Sequence, residues 1–429
     1  MTTMRQGRNM YGWMEDLFPI CRSLTGNGVR ETLQFFAQKL PGLAIHEVPS
    51  GTTCFDWTVP NEWNVRDAYV ADESGARIID FKAHNLHLVG YSEPIDRTMG
   101  LEELDQHLYS LPDQPNAIPY VTSYYKRSWG FCLTHQQRQK LTPQTYRVVI
   151  DSTLEPGHMT YGELFIPGKS EKTVLLSTYV CHPSMANNEL SGPVLLAALG
   201  QWLAEADREY SYQLLLVPET IGTIYYLSRN LERLKKNVVA GYVLSCVGDD
   251  RTCSYLPTRN GNTLADRVML HVLGNCYPGF TRYTFLDRAS DERQYNSPGV
   301  DLPVLPFARS LYRKYPEYHT SLDDMTVVSP EGLQGSFEII RNCIEIIEQN
   351  RTYRVTCLCE PQLGKRGLYP TTSMKGGYDD FVTIAIDFIA HCDGTLDLLQ
   401  IAERIGVPAD RCTSVAKRLA DAGVLEAIA

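Results

Sequence analysis

A chain of 429 residues exceeds what one hydrophobic core usually holds and points to two or three domains. Its formal net charge of −10 argues against an electrostatic grip on nucleic acid or anionic lipid. No stretch is apolar for long enough to span a bilayer, and Met1–Arg8 leads into a polar, aromatic segment without a signal-peptide core, so a cytoplasmic protein is expected.

Residues 10–40 read as two helices, with Tyr11, Met14, Leu17 and Phe18 and then Thr32, Leu33, Phe36 and Leu40 at helical spacing. Thr25-Gly26-Asn27-Gly28 breaks them, and Asn27 is the expected cap of the second. From Pro49 the texture turns β-like, through Thr52–Pro60, Ala68–Ala71, Arg77–Phe81 and Leu86–Val89. A third region alternates strands and helices. Tyr146–Ile150 and Met159–Ile166 read as a strand pair, and Thr173–Thr178, Tyr212–Val217 and Val238–Ser245 as strands buried on both faces. Helices are expected from Val194, around Tyr225–Leu234 and near Phe337–Glu348. This rhythm predicts an α/β sheet flanked by helices, whose ligands bind at the carboxyl ends of the strands. His182, Glu219 and Cys246 each follow such a strand.

Glu360–Asp379 is rich in Gly, Pro and Thr and reads as a linker. Beyond it, helices at Phe381–Ala390, Leu396–Ile405 and Ala409–Ala422, a Gly-Val-Pro turn and a terminal strand form a winged-helix pattern, with a small three-helix bundle as the competing reading. Its acidic excess suits docking on protein, or on a second copy of the chain, better than on phosphate. The expected domains are N-terminal helices at 1–48, an inserted β-rich domain at 49–133, a catalytic domain at 134–355, a linker at 356–380 and the winged helix at 381–429.

Two motifs carry chemistry. One is Pro316-Glu317-Tyr318-His319-Thr320-Ser321-Leu322-Asp323-Asp324; the other is Cys181-His182-Pro183 with the loop Ala186-Asn187-Asn188-Glu189-Leu190-Ser191-Gly192. Between them, Pro218-Glu219-Thr220 ends an apolar run, and a lone buried carboxylate there is costly unless it is used. The twelve cysteines show no zinc-ribbon spacing and are expected to be free thiols.

From about Tyr146 to Asp324 these segments resemble the zinc aminopeptidase/carboxypeptidase superfamily. The chain as a whole resembles a bacterial group of aminopeptidase-like proteins with an inserted β-domain and a C-terminal winged helix. The resemblance implies a mixed sheet carrying two zinc ions, with His182 and His319 as the first and last ligands and the Asn188 loop between them. This sequence departs from that pattern at three places. Asn188 replaces a bridging aspartate, Thr220 follows Glu219 where a second glutamate is expected, and Cys246 stands near an aspartate position with Asp249 and Asp250 just downstream. A neutral amide cannot balance two dications. One zinc ion is therefore expected, on His182, His319 and an oxygen ligand at Asn188, with Glu219 as general base. Glu189 is a substitute ligand, Asp291 and Asp323 are candidates to orient the histidines, and Arg293, Arg309 and Arg313 are candidate clamps for a substrate carboxylate. The resulting expectation is a hydrolase acting on an amide or peptide-like bond of a small metabolite. A catalytically inactive scaffold and an amide-forming acyl-transfer enzyme stay open beside it.

Overall fold

The computed structural model describes residues 4–368 and 380–428, which divide into two units. The first comprises residues 1–266 and 279–338, and the second 267–278 and 339–429.

The first unit is built on an eight-stranded mixed sheet. Four parallel strands form its middle, in the order Ser211–Val217, Thr173–Tyr179, Val238–Leu244 and Val304–Ala308. Antiparallel His158–Ile166 and Ala44–Pro49 extend one side, and Ser254–Tyr255 with Thr281–Arg282 the other. The middle strands are continuous apolar runs because both faces are covered; every residue of Thr173–Tyr179 and Ser211–Val217 is buried. Helix Ser191–Leu203 lies almost wholly inside. Gly192 lets its first turn press on the sheet, since a Cβ there would fall 2.3 Å from the Leu244 carbonyl oxygen and from Thr178 Oγ1.

A second sheet of four antiparallel strands, ordered Arg77–Asp80, Glu62–Ala71, Thr145–Glu155 and Ile95–Gly100, forms the β-rich insertion. The sequence reading pairs Tyr146–Ile150 with Met159–Ile166; the structure places them in different sheets. Pro156-Gly157 has the look of a hairpin turn, but there the chain leaves one sheet for the other. Glu62 holds the corner, accepting the His158 N–H at 2.8 Å and an ion pair from Arg30. The insertion thus keeps a central strand beyond residue 133. A single apolar cluster, including Trp63, Tyr146, Leu175, Tyr179 and Leu215, joins the two sheets.

The N-terminal helices run Arg5–Leu17 and Asn27–Lys39. Asn27 is not the cap expected for the second. It is the first helical residue, and its N–H is accepted by Asn64 Oδ1 of the insertion at 2.7 Å.

In the second unit, helices Asp380–Ile389, Leu398–Ile405 and Ala409–Asp421 accompany a three-stranded sheet ordered Asp393–Asp397, Thr352–Val355 and Leu425–Ile428. This is the winged helix. Its central strand precedes the point, residue 381, at which the sequence reading begins the domain. Asp397 caps the second helix, accepting the Gln400 N–H at 2.7 Å, and Gly406 ends it in the left-handed region with φ 67°. Of the expected linker 356–380, residues 369–379 lie outside the described residues. Among the described residues no helix is long and apolar enough to cross a membrane.

Candidate active site

The residues that follow the parallel strands Thr173–Tyr179 and Ser211–Val217 at their carboxyl ends line a cleft of about 390 Å³. His182, Glu219, Thr220, Arg293 and His319 line it, with Cys181 and an aromatic wall of Trp57, Tyr120, Tyr124 and Tyr125. The rings of His182 and His319 are 5.4 Å apart between centroids. Two imidazoles sharing one tetrahedral zinc, with nitrogen ligands at about 2 Å, have centroids about 5 Å apart.

His182 is held from three directions. Its Nδ1 meets Glu189 Oε2 at 3.0 Å, its carbonyl accepts Arg22 Nε at 3.0 Å, and Tyr120 and Tyr179 rings flank it at 5.2 Å. Arg22 Nε also lies 3.4 Å from Glu189 Oε1, with both side chains fully buried. Burial opposes a charge on His182, yet the Glu189 hydrogen bond and carboxylate outweigh it and raise its pKa. With Nδ1 engaged, Nε2 is the nitrogen left for the cleft, 3.7 Å from Glu219 Oε2.

His319 is held differently. Its ring stacks on Tyr318 at 4.0 Å and meets the edge of Tyr120 at 5.1 Å, and its backbone adopts φ 58°. Burial pushes its pKa down to about 2, helped by His182 and Arg313, so the ring is neutral, and its buried Nε2 has no hydrogen-bond partner among the described residues.

Asn188 lies in a wide π-helical turn, Ala186–Leu190, a form often found at functional sites. Asp323 fixes that turn by accepting the Asn187 and Asn188 N–H groups at 2.7 and 2.9 Å, and also takes the Tyr315 hydroxyl at 3.1 Å. Asn188 Nδ2 donates to Tyr179 Oη at 2.7 Å, which leaves buried Oδ1 without a partner. Glu219 accepts the Ser290 hydroxyl at 2.7 Å. Asp291 accepts the Thr220 N–H at 2.7 Å; burial, then the charge of Glu219, pushes its carboxyl up to about 8. Thr220 at φ 65° joins His319 at positive φ, so two of the residues lining the cleft hold strained backbone; buried Cys246 does too, at φ 54°.

Several expectations change here. Glu189, expected as a substitute ligand, is the carboxylate that orients His182. Asp291 and Asp323, expected to orient the histidines, fix backbone amides instead. Arg293 lines the cleft, but Arg309 and Arg313 do not. Asp249 is buried and structural, taking the Asn187 amide at 3.0 Å and the Ser310 hydroxyl at 2.8 Å. Burial pushes the Cys246 thiol up to about 12, the state of a core thiol. The sequence reading missed Arg22 and the tyrosines of the aromatic wall.

Cys181, His182 and Glu189 bring one ligand atom each within 4.8 Å of one another, but Glu189 is engaged by His182 Nδ1 and Arg22. His182 Nε2 stays toward the cleft, and His319 Nε2 and Asn188 Oδ1 are buried without a hydrogen-bond partner among the described residues, so these are the donor atoms left for a metal. Asn188 brings a neutral amide oxygen and Thr220 no carboxylate, so this donor set is poor in the negative charge that a pair of dications needs.

A family model described as a domain of unknown function, DUF4910, matches residues 11–350, and a winged helix-turn-helix model matches residues 351–427. The chain belongs to the DUF4910 family. A Clostridium acetobutylicum protein named for polysaccharide biosynthesis and an aminopeptidase-like domain is 46% identical over 405 residues, covering 94% of this chain and 92% of that one. A crystal structure from the same organism, named as a peptidase, superposes with TM-score 0.94 at 42% identity over 99% of this chain and 97% of that one. The zinc aminopeptidase BSAP of Bacillus subtilis superposes with TM-score 0.57 at 11% identity, over 79% of this chain and 94% of its own. This DUF4910 protein therefore has the zinc-aminopeptidase fold joined to a winged helix.

Proposed function

We propose that the protein is a metal-dependent hydrolase of the aminopeptidase type, acting on an amide or peptide-like bond of a small metabolite with one zinc ion per chain. One observation carries the reading. Two imidazoles from distant segments lie 5.4 Å apart in one cleft, one with its far nitrogen tied to a carboxylate and the other with a buried, unpartnered Nε2. A buried ring nitrogen without a partner costs stability unless something binds it.

In this reading His182, His319 and Asn188 hold the ion, which when bound supplies Lewis-acid polarisation of a carbonyl. Glu189, neutralised by Arg22, sets the tautomer and direction of His182. Glu219 takes the proton of the attacking water; the Ser290 hydroxyl fixes one of its oxygens and leaves the other toward His182. The aromatic wall excludes water around the bond to be cut. The name of the Clostridium relative supports a substrate drawn from glycan assembly, and the charge of the winged helix supports a protein partner or a second copy over nucleic acid. Elemental analysis of the purified full-length chain tests the proposal: about one zinc equivalent, lost in His182→Ala and His319→Ala, is expected. A folded wild type that stays metal-free after repletion overturns it in favour of a binding scaffold.

A further inference from the structure

The cleft has a polarity that the aminopeptidase fold does not require. Two charged side chains line it, Glu219 and Arg293. Glu219 already accepts the Ser290 hydroxyl at 2.7 Å and stands 3.7 Å from His182, so it is not free to anchor a substrate ammonium as well. Arg293 is built in. Its Nε donates to the Ser290 carbonyl at 3.0 Å and its Nη2 to Thr220 Oγ1 at 3.2 Å, which aims a rigid guanidinium without neutralising it. Among the described residues it forms no ion pair, and Nη1 has no protein partner. A fixed, uncompensated guanidinium in an otherwise aromatic cleft is matched by a planar anion that accepts from two of its N–H groups.

Resting on the hydrolase reading, we infer that the substrate is an amide bearing a free carboxylate, bound through Arg293, and not an amide with a free α-amine. The aromatic wall of Trp57, Tyr124 and Tyr125 receives its apolar part. In the reaction, water oxygen bonds to the amide carbonyl carbon and the C–N bond breaks. The nitrogen leaves with a proton from the water, giving a carboxylic acid and an amine, one of which carries the substrate's original carboxylate.

The test uses the full-length, zinc-repleted chain and three ligand sets: N-acetyl-amino acids, the same compounds as C-terminal amides, and free-amine amino acid amides. Binding is followed by calorimetry and by the fluorescence of the chain's five tryptophans, of which Trp57 lines the cleft. The acids are expected to bind about 10- to 100-fold more tightly than their amides. Arg293→Gln should abolish that preference by weakening the acids toward the affinity of the amides, while Arg293→Lys should restore part of it. An absent preference in the wild type, whether all three sets bind alike or none binds, overturns the inference, as does a preference that survives in Arg293→Gln. Release of amine is assayed separately. Arg293-dependent binding of acids without turnover removes the hydrolase and keeps the carboxylate site; turnover of free-amine amides with a KM indifferent to Arg293 does the reverse.

Discussion

The two histidine sides of the cleft are built to different rules. The His182 side is over-determined: a fully buried Arg22–Glu189 pair, a carbonyl hydrogen bond and two tyrosine rings fix one imidazole. The His319 side is a left-handed residue on a loop, held by ring stacking, with its outer nitrogen unsatisfied. One side spends its interactions on stability as well as geometry; the other leaves a polar group open for a ligand. The same cleft thus contains residues whose loss should unfold the protein and residues whose loss should only disarm it.

The sharpest way to break that contrast is Arg22→Met. It leaves buried Glu189 with His182 as its remaining partner and should cost about 3–5 kcal/mol of stability in urea denaturation. A loss below about 1 kcal/mol would show that the His182 side is not over-determined. Next, Glu189→Gln should weaken zinc binding about 10- to 100-fold by chelator competition. It should also destabilise the fold, and in combination with Arg22→Met by less than the sum, since the two share one network. His319→Gln should abolish zinc binding while its melting curve stays close to wild type. A large destabilisation there would erase the distinction.

Asn188→Asp refines the metal count. Restoring a carboxylate where two ions would bridge should admit a second zinc equivalent, read by native mass spectrometry, although Thr220 still lacks the carboxylate for full occupancy. Two equivalents already present in the wild type would refute the single-ion reading.

The smallest expected effect is a control at the corner between the sheets. Burial of Glu62 works against its charge, but hydrogen bonds from Arg30, the His158 N–H and Asn64 prevail and hold its carboxyl down at about 2. A depressed folded pKa contributes stability above the unfolded value of about 4.3, lost as pH falls from there toward 2. Discounted for partial exposure, Glu62→Gln should cost about 1 kcal/mol at pH 6 and almost nothing at pH 2.5. If it matched Arg22→Met at neutral pH, the strength of the His182 side would be nothing particular to the cleft.

Much of the architecture was legible in the chain. Thr173–Thr178 and Tyr212–Val217 announce themselves as strands because both their faces are covered, so their apolar runs are unbroken. The histidines and Glu219 were legible because they follow such runs. Arg22 was not, since it reaches His182 across 160 positions and no local pattern marks a residue that acts through another. Asp323 sits four residues after His319 and invited pairing with it, but the tight loop turns its carboxylate toward the amides of Asn187 and Asn188. The strand Thr145–Glu155 misled for a similar reason: two β-like runs close together in sequence suggest pairing, but sheet membership is decided by non-local partners. The strand Thr352–Val355 was hidden because its partners come after the expected linker.

The reach of Arg22 also has a meaning in time. A contact spanning 160 positions can form only once the chain between has closed on itself, and it joins the N-terminal helical segment to the histidine that follows a central strand. Cleft assembly is therefore gated by the docking of the chain's first segment. A form lacking the segment that carries Arg22 would leave Glu189 without its counter-charge and lose stability together with the cleft, so proteolytic trimming there would act as an off-switch for whatever the cleft binds.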